Sequence, residues 1–362
     1  MPLRVQRDVP LAPLSTLELG GPAAELVVLD DPRDFPYLVG HARAAGSVPR
    51  VIGSGSNILV ADEGYPGLVV NMSTNGIVFH NQDSEGEKVL ATVQAGHELQ
   101  ALVDATIEEG LSGIELLTGV PGTVGATPIQ NVGAYGQEVS ESIVEVAAWD
   151  WQKDCYTRLS PADCMFGHRT SLFKHSQRWT ILSVTFGLTK RNLSPALTYR
   201  AVAHAAGVPL GEPAPLAEAA AAVRDVRSKK GMILNGEDPD HRSVGSVFLS
   251  PVISHSMADQ LRSDGAPVNA FPDGSTRVSA SWLIKEADFE LGQSVVPGIR
   301  ISSKHFTLVA HEGATAQGFA LGSALVERRV KAATGVQLTA EPDLLGHLPA
   351  YEALTGPLDQ VI

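Results

Sequence analysis

The chain has 362 residues, enough for two or three domains that each bury a core of their own. Hydrophobic residues make up 44% and charged residues 19%, the balance of a globular protein rather than a disordered one. The formal net charge of −13 argues against a nucleic-acid footprint, which needs a clustered basic face. Residues 1–15 contain Arg4, Arg7 and Asp8 and no continuous apolar core, so no secretory signal is expected. No apolar run approaches the roughly 18 residues of a membrane span. Cys155 and Cys164 lack CxxC spacing, which fits incidental thiols in a cytoplasmic protein better than a disulfide or metal site.

Residues 1–72 read as a small α+β unit. Asp31 before Pro32 is an N-cap with proline at the first helical position, and Phe35, Leu38, Val39 and Ala42 keep helical spacing up to Gly46. Residues 49–52 read as a strand entering the turn Gly53-Ser54-Gly55-Ser56-Asn57. This turn starts like a dinucleotide fingerprint but has Ile58 at the third glycine position, and residues 58–60 and 67–70 look extended where the fingerprint needs a helix. A phosphate-binding turn between two strands is the chemistry left, with Ser54, Ser56 and Asn57 adding side-chain donors.

Residues 73–211 read as a second unit. Residues 89–93 alternate as a strand, and 97–109 form an amphipathic helix with Leu99, Leu102, Val103 and Ile107 on one face and Gly110 as its stop. His97-Glu98 does not open a zinc motif, because Ala101 occupies the position of the second histidine. Residues 119–136 then carry five glycines, two prolines and no charge. Glycine lets backbone approach a bound group closely, and proline fixes the chain between such points. A main-chain cradle for phosphate and a tight structural crossover both fit this stretch. Strands follow around 143–149 and 179–188, with Phe166-Gly167-His168-Arg169-Thr170-Ser171-Leu172-Phe173-Lys174 between them, and residues 194–199 close the unit.

A helix over 214–230 buries Leu216, Ala219, Ala220, Val223 and Val226 and ends at Gly231. The third unit, 212–339, adds short strands, a helix near 280–289 and a longer one over 315–333 with Phe319, Gly322, Val326 and Val330 along one side. His168, His175, His241 and His305 show no metal spacing, and no metal is expected.

Taken together, Gly53–Asn57, the 119–136 stretch with its ending Asn131-Val-Gly-Ala-Tyr-Gly136, Arg169 with Ser171 and Phe173, and Val244-Gly245-Ser246 before Pro251 resemble one family. It is the UDP-N-acetylenolpyruvoylglucosamine reductases of peptidoglycan synthesis. Residues 335–338 leading to Glu341 are similar to the place where that family keeps a catalytic glutamate. The resemblance implies an α+β protein with a vanillyl-alcohol-oxidase-type (PCMH-like) FAD-binding domain in two α+β subdomains, 1–72 and 73–211. Residues 212–339 would bind substrate, and 340–362 would return to the first subdomain. Pro195-Ala-Leu-Thr-Tyr199 resembles the longer form of the family, in which a tyrosine loop folds over the substrate. The chain departs from the pattern at Ser250, His311 and Ser15, where asparagine is frequent or usual.

The resemblance further implies non-covalent FAD, NADPH as co-substrate and UDP-N-acetylglucosamine enolpyruvate as substrate, acted on by a cytoplasmic monomer that inserts in no membrane. FAD would rest on Gly53, Ser54, Gly55, Ser56, Asn57, Ile58, Gly119, Pro121, Gly122, Thr123, Gly125, Ala126, Gln130, Asn131, Gly133, Ala134 and Arg169. Tyr199, Lys230 and Ser250 would bind the sugar nucleotide. Arg169, Ser246 and Glu341 would be catalytic: the guanidinium for the carboxylate as its charge grows, the hydroxyl as proton donor, the glutamate on the carboxylate side. Without the family, a lone arginine is more often a salt bridge, a serine after glycine a turn residue, and Arg227, Lys229 and Lys230 a helix end answering its dipole. Two other functions share the fold, a flavin oxidase of an alcohol or carbohydrate and a non-catalytic binder of flavin or sugar nucleotide. The oxidases often tether flavin through histidine or cysteine, and the glycine-rich stretch contains neither.

Overall fold

A computed structural model describes residues 3–81, 87–271 and 273–354. Contacts group the chain into two units. One comprises Met1–Val9, Ala23–Gly55 and Pro66–Leu234; the other Pro10–Pro22, Ser56–Tyr65 and Asn235–Ile362.

The first unit holds two sheets. A four-stranded sheet runs in the order Val5–Pro10, Pro22–Leu29, Tyr65–Met72, Arg50–Ile52, the last two parallel with Val51 opposite Val70. The second sheet is antiparallel, in the order Cys155–Leu159, Ile143–Asp150, Trp179–Lys190, Lys88–Gln94, Ile77–Asn81, with Leu111–Ser112 also on the long strand. The expected alternation holds: Val89, Ala91 and Val93 point inward while Lys88, Leu90, Thr92 and Gln94 are less buried. Helices Phe35–Ala44 and Leu99–Glu108 bury the apolar faces read from the sequence, and both join the same core as Leu29, Val70, Ile143, Val184 and Phe186. A smaller core forms where helices Arg200–Ala205 and Leu216–Lys229 close Val202, Ala219 and Val223 over Leu197 and Leu116.

The second unit is built round helix Ala316–Thr334, which turns Phe319, Ala320, Val326 and Val330 into the core. Thr315 caps its first turn by accepting from the Gly318 N–H at 2.9 Å, and Asp62 accepts from the Ala316 and Gln317 N–H groups at 2.8 Å each. Gly335, at φ 74°, ends it in the left-handed conformation that favours glycine. The helix packs on a three-stranded antiparallel sheet, Ser294–Val296, Ile299–Ile301 and Leu308–Ala310. Ile58–Val60 and Asp343–Leu345 pair in parallel, with Leu59 opposite Leu344. Leu17, Leu19, Leu59 and Ala61 bury themselves in this unit's core, so residues from the first 72 share an interior with the C-terminal half. Of the expected returning segment 340–362, residues 355–362 lie outside the described residues. Among the described residues no helix is long and apolar enough to cross a membrane.

Candidate active site

In the first unit, the 119–136 stretch has the build of a tight structural crossover. Much of it is a crossover stitched by its own backbone: the amides of Val120, Val124, Gly125, Ala126, Thr127, Asn131 and Val132 all bond main-chain carbonyls. Its entry is fixed by Glu115, fully buried, which accepts from the Gly113 N–H at 2.7 Å and the Ser112 hydroxyl at 3.0 Å. Gln137 accepts from the Leu116 N–H at 2.8 Å. Gly119, at φ 73°, donates to the Gln100 side chain and accepts from the Arg227 Nε–H at 3.1 Å. At the far end Gly133–Ala134 and Gln137–Glu138 form a hairpin whose two central residues, Tyr135 and Gly136, both have positive φ. This is the turn whose twist matches that of paired strands.

Two glycines of the expected flavin site serve close packing within the first unit. Gly53 lies so close to Thr123 that an added Cβ would overlap the threonine hydroxyl. The first glycine turn and the cradle are therefore in direct contact. An added Cβ at Gly125 would likewise collide with Ala95. At Gly53 the missing side chain makes room for the Thr123 side chain, and at Gly125 it lets the backbone approach the backbone of Ala95. Gly55, at φ 63°, and the exposed Ser54 complete this end of the turn. Between strands Arg50–Ile52 and Ile58–Val60 the turn leads to a strand and not a helix, as Ile58 implied. In the second unit, Ser56, Asn57 and Ile58 enter strand Ile58–Val60, and the Asn57 carbonyl accepts from the Asp343 N–H at 3.0 Å.

Arg169 is tied to the cradle. Its guanidinium donates to the carbonyls of Asn131 at 3.1 Å and Gly133 at 2.5 Å, from a backbone held at φ 53°. The Asn131 amide returns a bond to the Gly167 carbonyl at 3.0 Å, and the Ser171 hydroxyl donates to Ile129 at 2.7 Å. Phe173 anchors the segment in the core, edge-on to Trp179. Glu138, which the sequence reading missed, is the counter-charge. It accepts from Asn131 Nδ2 at 2.7 Å and stands 3.9 Å from both Arg169 and His168. Burial raises its pKa, but His168, Arg169 and Asn131 together hold it below the ordinary carboxylate value. Pro121, Gly122, Ala126, Gln130 and Ala134 are half-buried along the same stretch.

A second cluster of the same unit gathers cations and phenols. Arg227 donates to the Met232 carbonyl at 2.9 Å as well as to Gly119, and burial lowers its pKa while the nearby Tyr135 offsets part of that. Tyr199 meets Tyr135 edge to face, centroids 5.5 Å apart, and remains 45% exposed. Lys230 caps the C-terminus of helix Leu216–Lys229. Its ammonium is pushed below the ordinary lysine value, first by desolvation and then by the charge of Arg227. Arg227 is more than a helix-end charge, since it locks the first glycine of the cradle.

In the second unit, Ser246 and Glu341 are neighbours. The Glu341 N–H donates to the Val247 carbonyl at 2.9 Å, Leu249 N–H to Thr339 at 3.0 Å, and Phe248 faces Ala340 across an isolated bridge. Ser246 is exposed, and its hydroxyl bonds no group among the described residues, unlike the turn serine that its position beside Gly245 also allowed. Ser250 follows at the half-buried end of the same segment. His311 has a structural role: its Nε2 stands 3.3 Å from the buried Asp240, which also accepts from Ser302 Oγ, Ser303 N–H and Ser303 Oγ. Burial pushes Asp240 up, but the serine bonds outweigh it and its pKa is lowered. Thr16 donates to the Ser243 carbonyl at 2.6 Å and Arg242 to Leu17, so the chain ahead of Ser246 is held firmly. Among the described residues no group of three histidine, cysteine or acidic side chains is arranged for a metal.

The FAD binding domain family matches residues 23–152, and the UDP-N-acetylenolpyruvoylglucosamine reductase C-terminal domain family matches residues 238–345. The chain is 40% identical over 351 residues to the UDP-N-acetylenolpyruvoylglucosamine reductase of Thermobifida fusca, covering 94% of this chain and 98% of that one. It is 39% identical over 343 residues to the reductase of Salinispora arenicola, covering 92% and 94%. The crystal structure of the reductase from Thermus caldophilus superposes with a TM-score of 0.65 at 24% identity, over 95% of this chain and all of that one, which establishes the shared fold. The α+β FAD-binding fold with a C-terminal α+β domain is thus the one that the motifs implied. The chain belongs to the UDP-N-acetylenolpyruvoylglucosamine reductase family.

Proposed function

We propose that the protein uses NADPH and bound FAD to reduce the enolpyruvyl ether of UDP-N-acetylglucosamine enolpyruvate, giving UDP-N-acetylmuramate for peptidoglycan synthesis in the cytoplasm. One observation carries the reading: an exposed Ser246 hydroxyl, without a hydrogen bond among the described residues, in a segment bonded to Glu341 in a chain of this family. The domain matches support a division of labour, FAD on the N-terminal part, matched over 23–152, and sugar nucleotide on the C-terminal part, matched over 238–345. In this reading the protein works as a monomer.

FAD, when bound, supplies the two-electron relay from NADPH to the terminal methylene carbon of the substrate. Gly53–Asn57 and the 119–136 stretch would hold it by main chain and by Thr123 and Gln130, the Asn131 side chain being engaged by Glu138, Gly167 and Ser140. As negative charge builds on the adjacent carbon and its carboxylate, Arg169 stabilises it with a guanidinium already aimed by two carbonyls. Ser246 gives its proton to that carbon and recovers one from solvent, to which it is open. Glu341 polarises the carboxylate side. Tyr199 covers the nucleotide, and Lys230 and Ser250 bind the remote part of the substrate.

The flavin test separates this reading from an oxidase with tethered cofactor. Purified protein is expected to be yellow and to release unmodified FAD on denaturation, because neither glycine segment carries an attachment residue. A colourless protein that cannot be reconstituted with FAD contradicts the reading, and flavin that survives denaturation on the chain favours the oxidase.

Lys230→Ala is expected to raise KM for the sugar nucleotide far more than it lowers turnover. A diphosphate contact remote from the reacting carbons is nearly equal in ground and transition states. Because the folded pKa of Lys230 is lowered, its charge is lost at a lower pH than a free lysine would lose it. The KM of the wild type should therefore climb before the pH reaches 10.5, and the alanine variant should lack that rise. A KM unmoved by the substitution returns Lys230 to the role of a helix-end charge.

A further inference from the structure

Ser246 lies between two peptide groups held by a single side chain. The Thr307 hydroxyl donates to the Gly245 carbonyl at 2.7 Å and accepts from the Val247 N–H at 3.4 Å. Thr307 itself is buried, 8% exposed, and immobilised: its carbonyl accepts from Ser302 N–H and its amide donates to His305, both at 2.9 Å. It immediately precedes strand Leu308–Ala310, which pairs with Ile299–Ile301. Gly245 sits at φ 72°, where backbone can swing if its carbonyl is released. On the other side of the segment the Val247 carbonyl is held by the Glu341 N–H.

We infer that Thr307 is a positioning residue for Ser246, fixing the direction of the hydroxyl through the peptide groups on either side of it. The inference rests on Ser246 as proton donor. A hydroxyl that is a poor acid transfers its proton efficiently only when its geometry is fixed, and a misplacement of about 1 Å can cost on the order of 10²-fold. Among the described residues the Ser246 side chain has no bond of its own to hold it, so its backbone must do so. Sequence reading had no access to this link, since the residues are about 60 positions apart in the chain.

The test uses the FAD-loaded protein and compares Thr307→Val and Thr307→Ser with Ser246→Ala by rapid mixing. Thr307→Val should leave flavin reduction by NADPH and KM for the sugar nucleotide unchanged while slowing substrate-driven reoxidation by about tenfold or more. Thr307→Ser, which keeps the hydroxyl, should stay within about twofold of wild type. Added to Ser246→Ala, Thr307→Val should slow reoxidation no further, as expected of two residues acting as one unit. A readout independent of turnover is hydrogen exchange of the 244–249 segment, which should quicken in Thr307→Val and not in Thr307→Ser. If the valine variant does not fold, Thr307→Ala replaces it with the same expectations. A hydroxyl-free variant that reoxidises at the wild-type rate, or a serine variant as slow as it, overturns the inference. Wild-type reoxidation by Ser246→Ala would instead overturn Ser246 as donor, whatever Thr307 does.

Discussion

Ser246→Ala is expected to leave FAD binding and flavin reduction by NADPH near normal and to slow reoxidation by the sugar nucleotide by about 10²–10⁴-fold, roughly 3–5 kcal/mol of barrier. The split follows from where the hydroxyl acts. The carbon it must protonate becomes strongly basic only after hydride has arrived, so the first half-reaction does not use it. The surroundings favour the transfer: the hydroxyl is exposed, has no competing bond among the described residues, and stands in a segment bonded to both Thr307 and Glu341. Ser246→Cys should recover part of the loss, since a thiol of pKa about 8.5 can also donate. Reoxidation of the alanine variant at the wild-type rate would mean that the proton comes from elsewhere.

Arg169→Lys is expected to lower turnover by about 10²–10³-fold, the typical loss when a group aimed at developing charge is removed. It should also weaken FAD retention. A guanidinium can bond the Asn131 and Gly133 carbonyls together and still present N–H groups to a carboxylate; an ammonium is a point charge and cannot hold that plane. The backbone at φ 53° suits lysine no worse than arginine, so the loss belongs to the side chain. Steady-state rates with FAD in excess, beside an FAD titration, separate the two effects. A lysine variant within a few fold of wild type in both would reduce Arg169 to an ordinary salt bridge with Glu138.

Much of the fold could be read wherever period and punctuation agreed. Helix Leu216–Lys229 and helix Ala316–Thr334 had clear stripes and stops, and strand Lys88–Gln94 alternated cleanly. Strand Pro22–Leu29 was not legible because its near-continuous apolar run does not alternate, and it is buried on both faces in places. Helix His255–Ser263 escaped because only Ala258 and Leu261 are fully buried on it. The grouping of Leu17, Leu19, Leu59 and Ala61 with the C-terminal core is a tertiary outcome, without a local signal.

The candidate site shows the same division. Glycine and proline mark the cradle, and the setting of Arg169 between Gly167 and Ser171 marks a designed turn. Glu138, Arg227 and Thr307 are ordinary residues in the sequence. They matter only because folding brings Arg227 to Gly119 from 108 positions away and Thr307 to Gly245 from 62. Such contacts carry no periodicity, so composition and spacing could not have revealed them.

The decisive experiment is anaerobic: the flavin of the purified protein is reduced with one equivalent of NADPH, and UDP-N-acetylglucosamine enolpyruvate is then added. The oxidised flavin spectrum should return at a rate that saturates with substrate, with one UDP-N-acetylmuramate formed per flavin. Flavin that stays reduced in the presence of excess sugar nucleotide would contradict it.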